Sequence, residues 1–508
     1  MSETSATRAG IVAVLGLFFG CNTLIGLELG EPADDDSTSG ATAGGATAGN
    51  GGSAATGNPD PLGDAVGVDI TEIALYQGVK RPLMANGAAV TSGIPIVAGR
   101  DALIRVFAVV QDGYDGGPVV ARLYLGGLAQ PYEAEGTVDS PTEDILSSTF
   151  NFDVPGADIG NGFSYRVELK QAGSPTAVYP GAGFPAAGFE GAEVRSAGAA
   201  LKIKLVPVIY EADGSSRMPD TSPAQIQAFE DQFYGMYPVP AVEISLRAPM
   251  SWNQVVFADG GGWSDLLNAI ADVRADEAAP DVYYYGIFAP AASVAEYCAS
   301  GCPTGLGFQG APADPNTRAA IGLGFSGALA PETAVHEVGH NHGRSHAPCG
   351  GPPNTDPDYP YPTAGIGSWG YNLLTGQLYS PSGYFDLMSF CQPVWVSDYT
   401  YNGLFNHIAA VNGANIVYPP ELLNRTYDRV SITPNGELSW MNPIQLATPP
   451  MGEEQSVVLT SEAGAETVTG WFYGYDHLDG GVVLWPATPQ PLQRVQVELG
   501  GKVKSLTR

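Results

Sequence analysis

The segment Pro331-Glu332-Thr333-Ala334-Val335-His336-Glu337-Val338-Gly339-His340-Asn341-His342-Gly343-Arg344-Ser345-His346 carries four of the six histidines in a chain of 508 residues. Ala334, Val335, Glu337 and Val338 suit a helix, and Pro331 suits its first turn, where a missing N–H costs little. On that helix His336 and His340 are i and i+4, so both imidazoles leave from one face. Two neutral imidazoles there can share one Zn²⁺ ion. Glu337 sits beside the first of them, where its carboxylate can act as a general base. Gly343 can take the left-handed backbone that ends a helix. The chain then turns, and His346 can return as a third ligand. Three protein ligands leave one position open, the pattern of a catalytic rather than a structural zinc site. His342, two residues past His340, points to the opposite side of the helix and is read as a non-ligand.

The pattern His-Glu-x-x-His-x-x-Gly-x-x-His at 336–346 resembles the zinc signature of the metzincin metalloproteases. The resemblance implies zinc on His336, His340 and His346, catalysis by Glu337, and a tight turn whose methionine lies beneath the metal. Tyr384-Phe385-Asp386-Leu387-Met388-Ser389-Phe390-Cys391 offers that turn, with Met388 following His346 by 42 residues. Some metzincins carry a tyrosine two residues after the methionine. Phe390 stands there in this chain, so the tyrosine's role does not carry over. Tyr384, Tyr399 and Tyr401 are nearby substitutes, and the spacing does not choose among them.

Gly367–Tyr371, Asp386–Cys391 and Trp395–Tyr401 are similar to segments of secreted bacterial peptidases, a group that includes enzymes cutting mucin-type glycoproteins. This likeness covers 331–401. It implies a protein or glycoprotein substrate. It also implies an edge strand over Arg318–Phe325 lining the cleft, where an extended substrate could add as a further strand.

Composition bounds the rest. A chain this long has room for two to four domains. Its 66 glycines and 41 prolines favour turn-rich β structure. The net charge of −31 repels nucleic acid and anionic lipid surfaces, so neither is an expected partner. Four of the five cysteines, Cys298, Cys302, Cys349 and Cys391, fit two disulfides in an oxidising compartment. Cys298 and Cys302 could close a small loop. A Cys349–Cys391 bridge would brace the metal site, although four cysteines allow three pairings.

Taken in order, 1–21 reads as a lipoprotein signal peptide. A short apolar run over Ala9–Gly20 is too brief to span a bilayer, and Cys21 is the candidate lipidated residue. An ordinary secretory signal would export the chain equally. Residues 22–66 are a flexible Gly/Ala/Ser/Thr linker. Residues 67–200 alternate apolar and polar side chains between turn residues, as in an antiparallel β-sandwich. They contain no cysteine, which rules out a cysteine-based latency device there. Residues 201–413 alternate strand and helix ahead of the histidine segment, suiting an α/β (α+β) metzincin-like catalytic domain. Helices are expected over Ser222–Tyr234, Trp263–Ala275 and Tyr399–Gly413. Residues 414–508 read as a C-terminal β-sandwich domain. Asp356 and Asp358 offer oxygen ligands for Ca²⁺, though two acids in a solvated loop are an ordinary surface. Trp369 and Tyr371 offer an aromatic substrate platform, with core packing the competing use.

These readings converge on an exported zinc metalloendopeptidase. It would lie at the cell envelope, lipid-anchored or secreted, meet the membrane only through that anchor, and be a monomer. Two rivals share the motif: a surface-anchored binding or adhesion protein with an inactive protease fold, and a zinc hydrolase of non-protein amides.

Overall fold

A computed structural model describes residues 62–173, 176–277, 279–413, 418–499 and 501–508. The expected signal peptide, Cys21 and most of the linker lie outside the described residues. Leu62–Asp64, at the expected linker's end, is instead a strand paired antiparallel with Lys170–Ala172.

The fold is mixed α/β, mostly sheet with a few helices. Two antiparallel sheets come first. One runs Leu62–Asp64, Ser164–Ala172, Val119–Leu125, Tyr132–Gly136, and the other Ala88–Ala89, Lys80–Ala85, Val68–Tyr76, Ala102–Val110, Phe150–Val154. They share one apolar core. Val119–Leu125 shows why: every second side chain, Val119, Ala121, Leu123 and Leu125, is buried while its neighbours are not.

A central sheet follows in the order Val242–Leu246, Leu201–Tyr210, Val282–Phe288, Ala319–Leu323, Gly305–Gly307. The first four strands are parallel and the last is antiparallel. Helices cover both faces, so inner strands such as Ala319–Leu323 are buried throughout. Tyr283, Tyr285 and Ile287 pack toward Pro223–Met236 and Leu329–Asn341. Tyr284 and Phe288 pack toward Trp263–Glu277 on the other face. Ser222 caps Pro223–Met236 by accepting from the Gln225 N–H. The expected edge strand is displaced: Ala319–Leu323 is paired on both sides, and the edge is Gly305–Gly307. Three residues, two of them glycine, are too short a run to show a strand period in the sequence.

The sequence points to a second sandwich after residue 413. The structure has one antiparallel sheet there, in the order Leu438–Trp440, Arg425–Ile432, Gly481–Pro486, Gly464–Gly474, Glu453–Ser461, Arg494–Leu499, Lys502–Thr507. It curls until its first and last strands lie side by side, a nearly closed barrel. Val430, Val457, Val483, Trp485, Val495 and Val497 fill it. Its other face, with Tyr427, Tyr473, Val482 and Leu484, shares a core with Trp263 and Leu266 of the central helix. Arg429 reinforces that seam with a bidentate pair to Asp272, both contacts at 2.6 Å.

Candidate metal centre

Leu329–Asn341 is helical, with His336, Glu337 and His340 on it. It ends where Gly343 takes a φ of +72° and donates to the His340 carbonyl at 2.8 Å. The Arg344 N–H reaches the Gly339 carbonyl at 3.0 Å. This left-handed exit turns the chain back and brings His346 under His340.

The three imidazoles converge through the same nitrogen. His336 Nδ1 meets the Leu387 carbonyl at 2.7 Å, His340 Nδ1 the Arg344 carbonyl at 2.6 Å, and His346 Nδ1 the Pro353 carbonyl at 2.5 Å. A carbonyl only accepts, so each Nδ1 carries the proton and each Nε2 is a bare lone pair. His340 Nε2 nonetheless lies 3.2 Å from His336 Nε2 and 3.2 Å from His346 Nε2. Facing lone pairs at that distance repel unless a cation lies between them. Metal–nitrogen bonds of about 2.0–2.1 Å set tetrahedral N···N edges near ~3.3 Å, so the spacing fits a bound metal. Burial also holds His336 and His340 well below the usual histidine range and brings His346 to about 3, keeping the imidazoles neutral as ligation requires.

Met388 lies beneath. Its sulfur packs on the helix at Gly339, where a Cβ would sit 2.6 Å from Sδ. Buried Asp386 shapes the turn by accepting from the N–H groups of Met388 at 2.8 Å and Ser397 at 2.9 Å. The Met388 carbonyl takes the Ala347 N–H at 2.9 Å, joining the turn to the chain just past His346. Cys349 is bonded to Cys391 across the same two segments, and Cys298 to Cys302.

Glu337 is 1% exposed, and its Oε2 has no hydrogen-bond partner. Burial pushes its carboxyl up to about 8; a cation among the imidazoles would act in the opposite sense.

Two residues that the sequence reading missed complete the cluster. Asp476 and His477 come from the turn between strands Gly464–Gly474 and Gly481–Pro486 of the C-terminal sheet. His477 Nε2 lies 3.4 Å from His346 Nε2 and 3.3 Å from Glu337 Oε1. Asp476 Oδ2 is 3.6 Å from His340 Nε2. Burial first, and Glu337 second, raise the Asp476 carboxyl well above its usual range. His336, His340, His346 and His477 form one group able to hold a metal, and Glu337, His340, Asp476 and His477 an overlapping one. The sequence held one clue: His477 is one of only two histidines outside the motif.

Other candidates lie elsewhere. Phe390 packs against His346, ring centroids 5.0 Å apart, and stacks on His477 at 5.3 Å. Tyr399 donates to Asp356, Tyr401 to the Gln77 carbonyl, and Tyr384 packs edge-on against Tyr379. Asp356 also accepts from the Asp358 N–H, so both its oxygens are engaged, and among the described residues no metal-capable group includes either acid. Trp369 and Tyr371 form no platform at the histidines. Tyr371 is buried edge-on against Tyr76, and Trp369 packs, half-buried, on the same cluster with Leu103 and Phe107, so both lie against the N-terminal sheets. His342 is buried on the far side of the helix, stacked on Tyr283 at 4.4 Å.

No protein-family model matches the chain, and no curated protein matches it at a significant level. A solved structure described as "Structure of a chaperone-substrate complex" is similar over 52% of this chain and 39% of that one, at 12% identity and a TM-score of 0.23. This chain thus spans less than half of that neighbour, and a likeness so slight carries no argument about fold or function.

Proposed function

We propose that this chain is an exported zinc-dependent endopeptidase of metzincin type, its catalytic half flanked by two β regions, acting on proteins or glycoproteins. The observation that carries the reading is the convergence of three Nε2 lone pairs whose Nδ1 atoms are all committed to carbonyls. Imidazole donors suit zinc among the common divalent metals. A Zn²⁺ ion on His336, His340 and His346 would supply Lewis-acid polarisation of a scissile carbonyl and a more acidic water.

The protein's own groups do the remaining work. Glu337, its Oε2 free of hydrogen bonds, takes the proton of the attacking water and passes it to the leaving nitrogen. The carbonyl partners of the three Nδ1 atoms fix tautomer and ring orientation. Met388 shapes the floor without taking part. Export is supported by the two disulfides, which persist outside reducing compartments. The glycoprotein preference and the Cys21 anchor rest on sequence resemblance alone.

The test is a proteome-derived mixture of peptides and glycoproteins incubated with zinc-loaded wild type or Glu337→Ala and read by mass spectrometry. New termini with wild type alone support a peptidase. Identical, uncut mixtures with every variant, including one altered at His477, would sink it.

A further inference from the structure

Building on that reading, we propose that the turn Tyr475–His477 is an inhibitory plug. His477 is the fourth metal ligand, and the main chain before it occupies the place of an extended substrate.

Two independent observations converge on this turn. The first is ligation. His477 Nε2 stands 3.4 Å from His346 Nε2, close to the 3.2 Å that separates His340 Nε2 from His336 Nε2 and from His346 Nε2, and all four ligand atoms lie within 4.8 Å of one another. Four nitrogen donors satisfy a tetrahedral metal and leave no open position, which is how structural rather than catalytic sites are built. His477 is held in place by stacking on Phe390 with an interplanar angle of 12°.

The second observation is strand pairing. Gly305–Gly307 is the outer strand of the central sheet, and its inner side is bonded to Ala319–Leu323. An exposed strand edge is a template for an added strand. Here the turn takes up its hydrogen-bonding groups. The Gly307 N–H donates to Asp476 Oδ2 at 2.9 Å, and the Asp476 N–H donates to the Gly307 carbonyl at 3.3 Å. Phe308 and Tyr475 make an antiparallel bridge. On the other flank Asn354 Nδ2 donates to the Asp476 carbonyl at 3.2 Å. The turn therefore lies as a peptide substrate would lie, along the edge and up to the metal.

Its own chemistry keeps it from being cut. Glu337 Oε1 faces the His477 imidazole at 3.3 Å, and a ligand nitrogen stands where a reacting carbonyl would have to be. Removing the plug does not require dismantling the C-terminal sheet. Tyr475 stays anchored in the shared core, its hydroxyl accepting from Asn268 Nδ2 at 3.0 Å, and Gly480 with a φ of +107° closes the turn, so backbone rotation confined to Asp476–Gly480 would lift His477 while the sheet stays docked.

The experiment uses the full-length chain loaded with Co²⁺ or Zn²⁺. Wild type is compared with His477→Ala, and with His477→Gln should the alanine variant fold poorly. The Co²⁺ visible spectrum and the zinc affinity against a chromophoric chelator report ligation, and cleavage of unfolded casein reports access. The proposal expects an altered Co²⁺ spectrum and a zinc affinity at least about tenfold weaker, since even the partners of ligands are worth 10–100-fold. It expects casein cleavage at least about tenfold faster, the reciprocal of an open fraction of a tenth or less. An unchanged spectrum and affinity would show that His477 is not a ligand and overturn the plug. Weaker metal binding with slower cleavage would make His477 a working part of the site; the plug falls and the peptidase reading stands. Co²⁺ binding by both proteins with no cleavage by either overturns both readings.

Discussion

The two β regions meet the central sheet in opposite ways. The N-terminal pair is joined by a seam whose central polar groups satisfy one another. Arg100, 0% exposed, donates to the carbonyls of Gln77, Tyr234 and Val239, while Gln77 itself bonds both ways with Val97. The C-terminal sheet instead delivers Asp476 and His477 to a place where buried polar atoms go without partners, Glu337 Oε2 and the Tyr285 hydroxyl among them. Burial, then Glu337 and Asp476, hold that hydroxyl well above its usual range. A seam that only supports the fold spends its polar groups on one another. The C-terminal seam leaves some of its buried polar groups unpaired.

The comparison breaks most visibly at Glu337. In the His477→Ala background, Glu337→Gln should slow peptide cleavage by roughly 10²–10⁴-fold, the worth of a general base, and leave zinc stoichiometry unchanged. Loss of bound zinc instead would mean that Glu337 holds the metal site together rather than acting on substrate.

The disulfides test how firmly each segment is tied. Cys349–Cys391 spans 42 residues and Cys298–Cys302 spans 4. Chain-entropy reasoning gives about 4 kcal/mol for the longer loop and about 2 kcal/mol for the shorter. Denaturant melts of Cys349→Ser/Cys391→Ser should show the larger loss, accompanied by weaker zinc binding because the bridge spans the His346 loop and the Met388 turn. Equal losses from the two double variants would argue against the bridge as a brace.

On the supporting side, Arg100→Met removes a charged donor from three buried carbonyls and should cost about 3 kcal/mol. Zinc affinity should stay within twofold of wild type, read by chelator competition. A large drop in affinity would show that the N-terminal seam also shapes the site. The smallest effect is expected from Cys298→Ser/Cys302→Ser, at the shorter-loop figure of about 2 kcal/mol, with cleavage unaltered.

What the sequence made legible is what depends on near neighbours. Helical spacing alone places His336 and His340 on one face, and Gly343 marks the reversal that recovers His346. The helices expected over Ser222–Tyr234, Trp263–Ala275 and Tyr399–Gly413 appear as Pro223–Met236, Trp263–Glu277 and Asp398–Gly413. The Met388 turn rests on the family resemblance rather than on spacing, and the observed Cys298–Cys302 and Cys349–Cys391 bonds are one of the three pairings that four cysteines allow. What escaped is set by long-range docking. His477 is 131 residues from His346, and nothing in Tyr475-Asp476-His477 announces a metal ligand. The edge strand went unrecognised because Gly305–Gly307 acquires its role only by pairing with Ala319–Leu323. Trp369 and Tyr371 look like an aromatic platform in sequence, yet in the fold both side chains join the cluster around Tyr76. A curled single sheet and a sandwich share the same alternation of side chains, so the C-terminal architecture depends on which strands close the circuit.

X-ray absorption at the zinc edge of the full-length, zinc-loaded chain tests the central claim most directly. A metal on the convergent imidazoles predicts a first shell of nitrogen or oxygen alone at about 2.0–2.1 Å, with the multiple scattering of at least three histidines. Sulfur in that shell, fewer than three imidazoles, or a chain that retains no zinc would contradict it.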